Sequence, residues 1–148
     1  MIDPKTHPSI LNISLDNNKP LIVCDADEVI FDFMSTFECF LNENSLSFNW
    51  RSYALEGNII DKNQKAINKN RIKEVINDFF MQNTSLMPLI LGAKKSLCKL
   101  SKKYNIIILS NIPYQYYSAR KKALNNHNLN FPFYANLGAK GRTISYIY

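Results

Sequence analysis

Hydrophobic residues along the chain fall into two kinds of pattern. Short unbroken apolar runs occur at Leu21–Cys24 and Ile106–Leu109, and runs of this kind predict strands buried on both faces of a parallel sheet. Elsewhere apolar residues recur at helical spacing. Met34, Phe37, Phe40 and Leu41 mark one helix, Ile72, Val75, Ile76, Phe79 and Phe80 a second, and Ala93, Leu97, Leu100 and Tyr104 a third. Pro113 suits the first turn of a fourth helix reaching about Leu124. Phe131–Asn136, closed by Gly138, predicts a third strand, and another helix opens at Gly141. Residues 1–19, with Pro4, Pro8, Asn17 and Asn18, form a loose lead-in, and a polar stretch from Asn42 to Lys65 holds Trp50, Arg51, Tyr53 and Gly57. Strand, helix, strand, helix, strand is the order of a doubly wound α/β fold.

Size and composition fit this reading. A chain of 148 residues with 46% hydrophobic and 20% charged side chains makes one globular domain with room for a small insertion. Its apolar runs fall far short of the roughly 20 residues that span a bilayer, and the N-terminus lacks the basic-then-apolar order of a signal peptide. Cys24, Cys39 and Cys98 are odd in number and widely spaced. They argue against a disulfide framework or zinc site and for a reducing cytoplasm.

Charge changes the picture. The net charge is +6, yet all 12 acidic residues lie between Asp3 and Asp78, and none follows. The 18 basic residues divide into 8 up to Asp78 and 10 beyond it, so one half carries about −4 and the other about +10. Such asymmetry is compatible with a nucleic-acid surface.

In open α/β sheets, ligands sit beyond the carboxyl ends of the strands. The first strand here ends in Asp25-Ala26-Asp27. Two carboxylates at i and i+2 can both face a ligand where the pleat breaks, one as nucleophile and one managing a proton. Taken alone, such a pair is more often a solvated acidic turn. The second long strand ends in Ser110-Asn111-Ile112-Pro113 before a helix, where a hydroxyl and backbone N–H groups make a phosphate cradle, although a lone serine is more often a helix cap. His7 and His127 are isolated, and Cys24 suits a small core position.

Together these residues carry a resemblance. Leu21-Ile22-Val23-Cys24-Asp25-Ala26-Asp27-Glu28-Val29-Ile30 resembles the first motif of the haloacid dehalogenase-like superfamily, and Ile107-Ile108-Leu109-Ser110-Asn111 its second. Met87–Ala93, with Leu97 and Leu100, resembles the approach to that second motif in capped members, and Asn136-Leu137-Gly138-Ala139-Lys140-Gly141 resembles the third motif. The resemblance implies a Rossmann-like core from residues 1–33 and 88–148, with a small helical cap inserted at 34–87. It implies a Mg²⁺-dependent phosphohydrolase acting on a small phosphorylated substrate. Asp25 would be the nucleophile and a metal ligand, and Asp27 the general acid and base whose carbonyl also binds the metal. Ser110 and the Asn111 N–H would hold the phosphoryl group, and Lys140 would neutralise its charge. A second Asp at position 27 fits phosphoryl transfer rather than dehalogenation, since halide leaves without a proton. Glu28 and Val29 stand where phosphatases of the superfamily commonly have Gly and Thr. Within the cap, Trp50, Arg51 and Tyr53 are candidate substrate contacts, and Asp32 and Glu28 are candidates for the metal's surroundings.

The superfamily's fourth motif is an acidic pair on a further strand, and no Asp or Glu follows Asp78. The expectation is therefore a chain that stops short of its last strands and hydrolyses weakly or not at all. One alternative is a non-catalytic domain of the same fold that binds a phosphorylated ligand or a protein partner. A third reading, a nucleic-acid-binding module, would use Lys94, Lys95, Lys99, Lys102, Lys103 and Arg120–Lys122. Those residues fall mostly on polar helix faces and lack interleaved aromatic platforms.

Overall fold

The computed structural model of the chain describes residues 14–145; the predicted lead-in up to residue 13, with His7, lies outside them. Three parallel strands, β1 (Leu21–Cys24), β4 (Asn105–Asn111) and β5 (Phe133–Asn136), form a sheet in the order β1-β4-β5. Cys24 pairs with Ile108, and Asn111 pairs with Asn136. All three carboxyl ends therefore open on the same edge of the sheet, and Asp25 leaves it one position before the level of Ser110.

The central strand matches its sequence pattern. Ile106 and Ile108 join the main hydrophobic cluster, while Ile107 and Leu109 join a smaller one with Tyr134 on the opposite face. The first strand departs from its pattern, because every residue of Leu21–Cys24 is only half-buried. Two physical reasons account for this. Among the described strands β1 has one neighbour, and the smaller cluster is covered by little beyond the partly buried Leu15 and Ile144.

Between β1 and β4 lie α1 (Phe33–Glu43), β2 (Leu46–Phe48), β3 (Ile59–Asp61), α2 (Lys69–Asn83) and α3 (Ala93–Leu100). The polar stretch at 42–65 contains an antiparallel pair, with Leu46 opposite Asp61 and Phe48 opposite Ile59. Strands of three residues are too short to show alternation in the sequence. The rings of Phe33 and Phe37 each meet Phe79 edge-on at 5.0 Å. This aromatic packing is continuous with Ile106 and Ile108, so the two helices and the hairpin of residues 34–87 share a core with the sheet.

The third helix ends at Leu100, short of the stripe that reached Tyr104, whose N–H closes a turn on the Leu100 carbonyl at 3.0 Å. After β4 comes a 3₁₀ turn (Tyr114–Tyr116), then α4 (Tyr117–Asn126) and, after β5, a one-turn α5 (Gly141–Ile144). The third strand begins at Phe133 rather than Phe131, since Pro132 has no N–H for the ladder, although its carbonyl still accepts from Ile108 at 2.8 Å. Among the described residues no helix is long and apolar enough to cross a membrane.

Phe79 is fully buried at the centre of the aromatic packing, whereas Met81 on the same helix is 64% exposed. Phe79→Ala should cost about 3–5 kcal/mol in equilibrium urea unfolding, and Met81→Ala should stay within about 0.5 kcal/mol of the parent.

Candidate active site

The turn that follows β1 is built on one carbonyl. Ala26 O accepts the N–H groups of Ile30 (2.8 Å) and Phe31 (2.9 Å), and Glu28 N–H donates to Phe31 O at 3.0 Å. Glu28 itself has φ 57°, the left-handed conformation for which glycine is the default. Here the Glu28 carboxylate offsets the strain by accepting the Met34 N–H at 2.7 Å in the first turn of α1, where the helix dipole favours an anion. Asp32 precedes the same helix without capping it by its side chain, and its N–H donates to Pro88 O at 3.0 Å.

Asp25 stands at the sheet edge with one carboxylate oxygen accepting the Ala26 N–H at 2.7 Å. Its other oxygen meets Lys140 Nζ at 2.5 Å. Lys140 reaches β1 across the end of β4, and the buried Asn136 fixes the loop that delivers it. Asn136 Nδ2 donates to Asn111 Oδ1 (2.6 Å) and to the Gly138 carbonyl (2.9 Å), while its Oδ1 accepts from Thr143 Oγ1 at 2.6 Å. Gly138, at φ 88°, makes the bend.

Asp27 takes its cation from inside the protein. Its Oδ1 lies 2.7 Å from Nη2 of Arg120, whose side chain has no solvent exposure at all. The guanidinium also sits 4.6 Å from the centre of the Phe31 ring and 3.6 Å, through Nη1, from Met87 Sδ. Burial pushes the Asp27 carboxyl above the ordinary aspartate range, with the Arg120 charge opposing that rise. Burial likewise lowers the Arg120 guanidinium, with Asp27 opposing. The charges of Asp25 and Lys140 both act on Asp27, so the two carboxylates belong to one electrostatic unit.

Arg120 was the residue that the sequence misplaced. Grouped with Lys121 and Lys122 on a polar helix face, it is instead fully buried, while its two neighbours are exposed. A signal was present: Tyr116, Arg120, Ala123 and Leu124 follow helical spacing, which puts Arg120 within the buried stripe of α4.

Ser110 is completely buried at the end of β4, and its hydroxyl has no hydrogen-bond partner among the described residues. Such a hydroxyl costs about 1–3 kcal/mol unless a ligand satisfies it. It does not lie at a helix N-terminus, as its sequence context suggested, because a 3₁₀ turn separates it from α4. Asn111 is exposed, and its side chain serves the Asn136 network. The structure thus joins Asp25 to Lys140 and Asn111 to the Lys140 loop, and leaves Ser110 bonded to neither. The half-buried Cys24 donates to the Asp25 carbonyl at 3.3 Å, and burial, then Asp25, pushes its thiol up.

Other candidates have local partners. Trp50 Nε1 donates to Glu38 Oε1 at 2.5 Å and its ring meets Tyr53 edge-on at 5.7 Å; Arg51 is exposed. His127 contacts the Met87 carbonyl at 3.2 Å.

A hard cation such as Mg²⁺ needs oxygen donors in near-octahedral array and commonly takes one or two carboxylates with several waters. The Asp25 carboxylate suits it, and so does the Asp27 carbonyl, because the turn's hydrogen bonds among the described residues land on Ala26 and Phe31 instead. No group of three or more His, Cys, Asp or Glu among the described residues could hold a metal. The Asp25 carboxylate and the Asp27 carbonyl are thus two oxygen donors of the kind such an ion takes, short of a full set from the protein. No protein-family model matches the chain, and no curated protein sequence matches it.

Asp27 is 24% exposed and Arg120 is not exposed at all, so the two cannot be removed at equal cost. Asp27→Ala strands a guanidinium that water cannot reach and should destabilise by about 3–5 kcal/mol. Arg120→Met leaves a carboxylate that can hydrate and should cost less in the same urea titration.

Proposed function

We propose that this chain carries the phosphoryl-transfer site of a Mg²⁺-dependent phosphohydrolase of the haloacid dehalogenase-like superfamily, acting on a small phosphomonoester. The reading takes the three-stranded sheet as part of a doubly wound, Rossmann-like core, residues 34–87 as its cap, and the cytoplasm as its compartment. The observation that carries it is the meeting of Asp25 and Lys140 at 2.5 Å, at the carboxyl end of a parallel sheet and beside a second carboxylate.

In this mechanism an Asp25 oxygen attacks phosphorus, and the bond to the leaving-group oxygen breaks as Asp27 donates a proton to it. Asp27 then takes a proton from water, whose oxygen attacks the same phosphorus and frees Asp25. Lys140 offsets charge on Asp25 and on the transferring group, and Ser110 supplies the unsatisfied hydroxyl for a phosphoryl oxygen. Asp25 and the Asp27 carbonyl would hold Mg²⁺, which supplies the positive charge that lets the Asp25 and phosphate anions approach.

A second reading is a non-catalytic domain of the same fold that binds a phosphorylated ligand or a partner. It is favoured by the ion pairs themselves, since each carboxylate already has a cation from the protein.

Turnover of a small phosphomonoester by the purified protein in Mg²⁺ should be weak, because no group of three or more His, Cys, Asp or Glu among the described residues completes a metal site, and it should stop in EDTA. Asp25→Asn should abolish turnover, and Asp27→Asn should slow it by about 10²–10⁴-fold. Undiminished turnover in Asp25→Asn would rule out the mechanism. Phosphate binding without turnover in the parent protein would favour the second reading.

A further inference from the structure

Arg120 heads the largest fully buried side chains among the described residues. A guanidinium cannot shed its charge, so its burial calls for an opposite charge and close packing. Asp27 supplies the charge at 2.7 Å, and Phe31 and Met87 supply the packing. Asp27 and Phe31 are the two ends of a single turn, with Phe31 N–H donating to Ala26 O at 2.9 Å. Arg120 therefore grips that turn at both ends, from the helix that follows the strand of Ser110.

Asp27 Oδ1 is buried against the guanidinium, so the 24% exposure of this side chain belongs to its other atoms. One oxygen is held inside, and Oδ2 is not among the buried side-chain atoms left without a partner. We propose that Arg120 is a positioning residue for Asp27, fixing one carboxylate oxygen so that the other meets the substrate's leaving-group oxygen. The inference rests on the phosphohydrolase reading and adds to it a residue that touches neither phosphate nor metal.

A purely structural pair and a positioning pair separate by leaving group. When Asp25 forms its bond to phosphorus, the departing oxygen of an alkyl phosphate leaves as an alkoxide and needs the proton from Asp27. The departing oxygen of acetyl phosphate leaves as a carboxylate and needs none. Misplacing a reacting group by about 1 Å can cost about 10²-fold. Arg120→Met should lower kcat/KM, which reports the phosphorylation of Asp25, about 10²-fold for a primary alkyl phosphate and by less than about threefold for acetyl phosphate, since the later hydrolysis of the aspartyl-phosphate, with Asp27 as base, is common to both. Arg120→Lys keeps the buried charge but loses the fork geometry. It should show the same selectivity at about 10-fold, and it carries the comparison if Arg120→Met does not fold. The Asp27→Asn, Arg120→Met double variant should be no slower on the alkyl phosphate than Asp27→Asn. Equal losses on the two substrates would overturn the proposal. If the parent protein turned over neither substrate, the phosphohydrolase reading would fall. Crystal structures of the parent and Arg120→Lys would then decide the inference alone: a reoriented Asp27 carboxylate supports it, and an unchanged one overturns it.

Discussion

A guanidinium sealed from water must have a carboxylate beside it, and in this protein that requirement joins the turn after the first strand to the helix after the second. Arg120 and Asp27 meet that constraint. The Asp27 backbone is part of the turn that also carries Phe31 and Glu28, and that turn leads into α1 through the Glu28–Met34 bond. The position of the Asp25-Ala26-Asp27 segment is therefore set by buried electrostatics as well as by strand pairing.

The two carboxylates play different energetic parts although each has a cation. The Asp25–Lys140 pair is partly exposed, with 46% and 24% of the two side chains accessible, and pairs of that kind contribute about 0–1 kcal/mol. Breaking a buried pair such as Asp27–Arg120 costs several times more. Fold stability thus gives little reason for Lys140 to cross the end of β4, or for the Asn136 network that directs it there. An ammonium and a carboxylate held at a sheet edge accord instead with the phosphoryl-transfer site proposed above. The unsatisfied hydroxyl of Ser110 fits the same account.

The long elements were legible because their patterns are redundant. The apolar faces of α1 and α2 repeat over several turns, and the shortness and β-branched residues of Ile106–Leu109 favour a buried strand. The acidic pair at Asp25 and Asp27 and the lysine at 140 stood out through spacing and the resemblance they carry. Three features escaped. The β2–β3 hairpin is too short for alternation to register, and β1 looks doubly buried because its composition does not reveal how many neighbours it has. Arg120 escaped because a charged residue in a helix is read as solvent-facing, and only a distant carboxylate, 93 positions away in the chain, makes its burial affordable. The spacing of α4 places Arg120 in the buried stripe, but nothing periodic identifies the partner that permits a charge there.

The central claim is that phosphorus becomes bonded to Asp25. Borohydride reduces an aspartyl-phosphate to homoserine, so protein quenched with borohydride during turnover of a phosphomonoester in Mg²⁺ and mapped by peptide mass spectrometry tests the claim at the atom concerned. The account predicts homoserine at position 25, absent without substrate. Turnover with position 25 still aspartate, or with the label at another carboxylate, would contradict it.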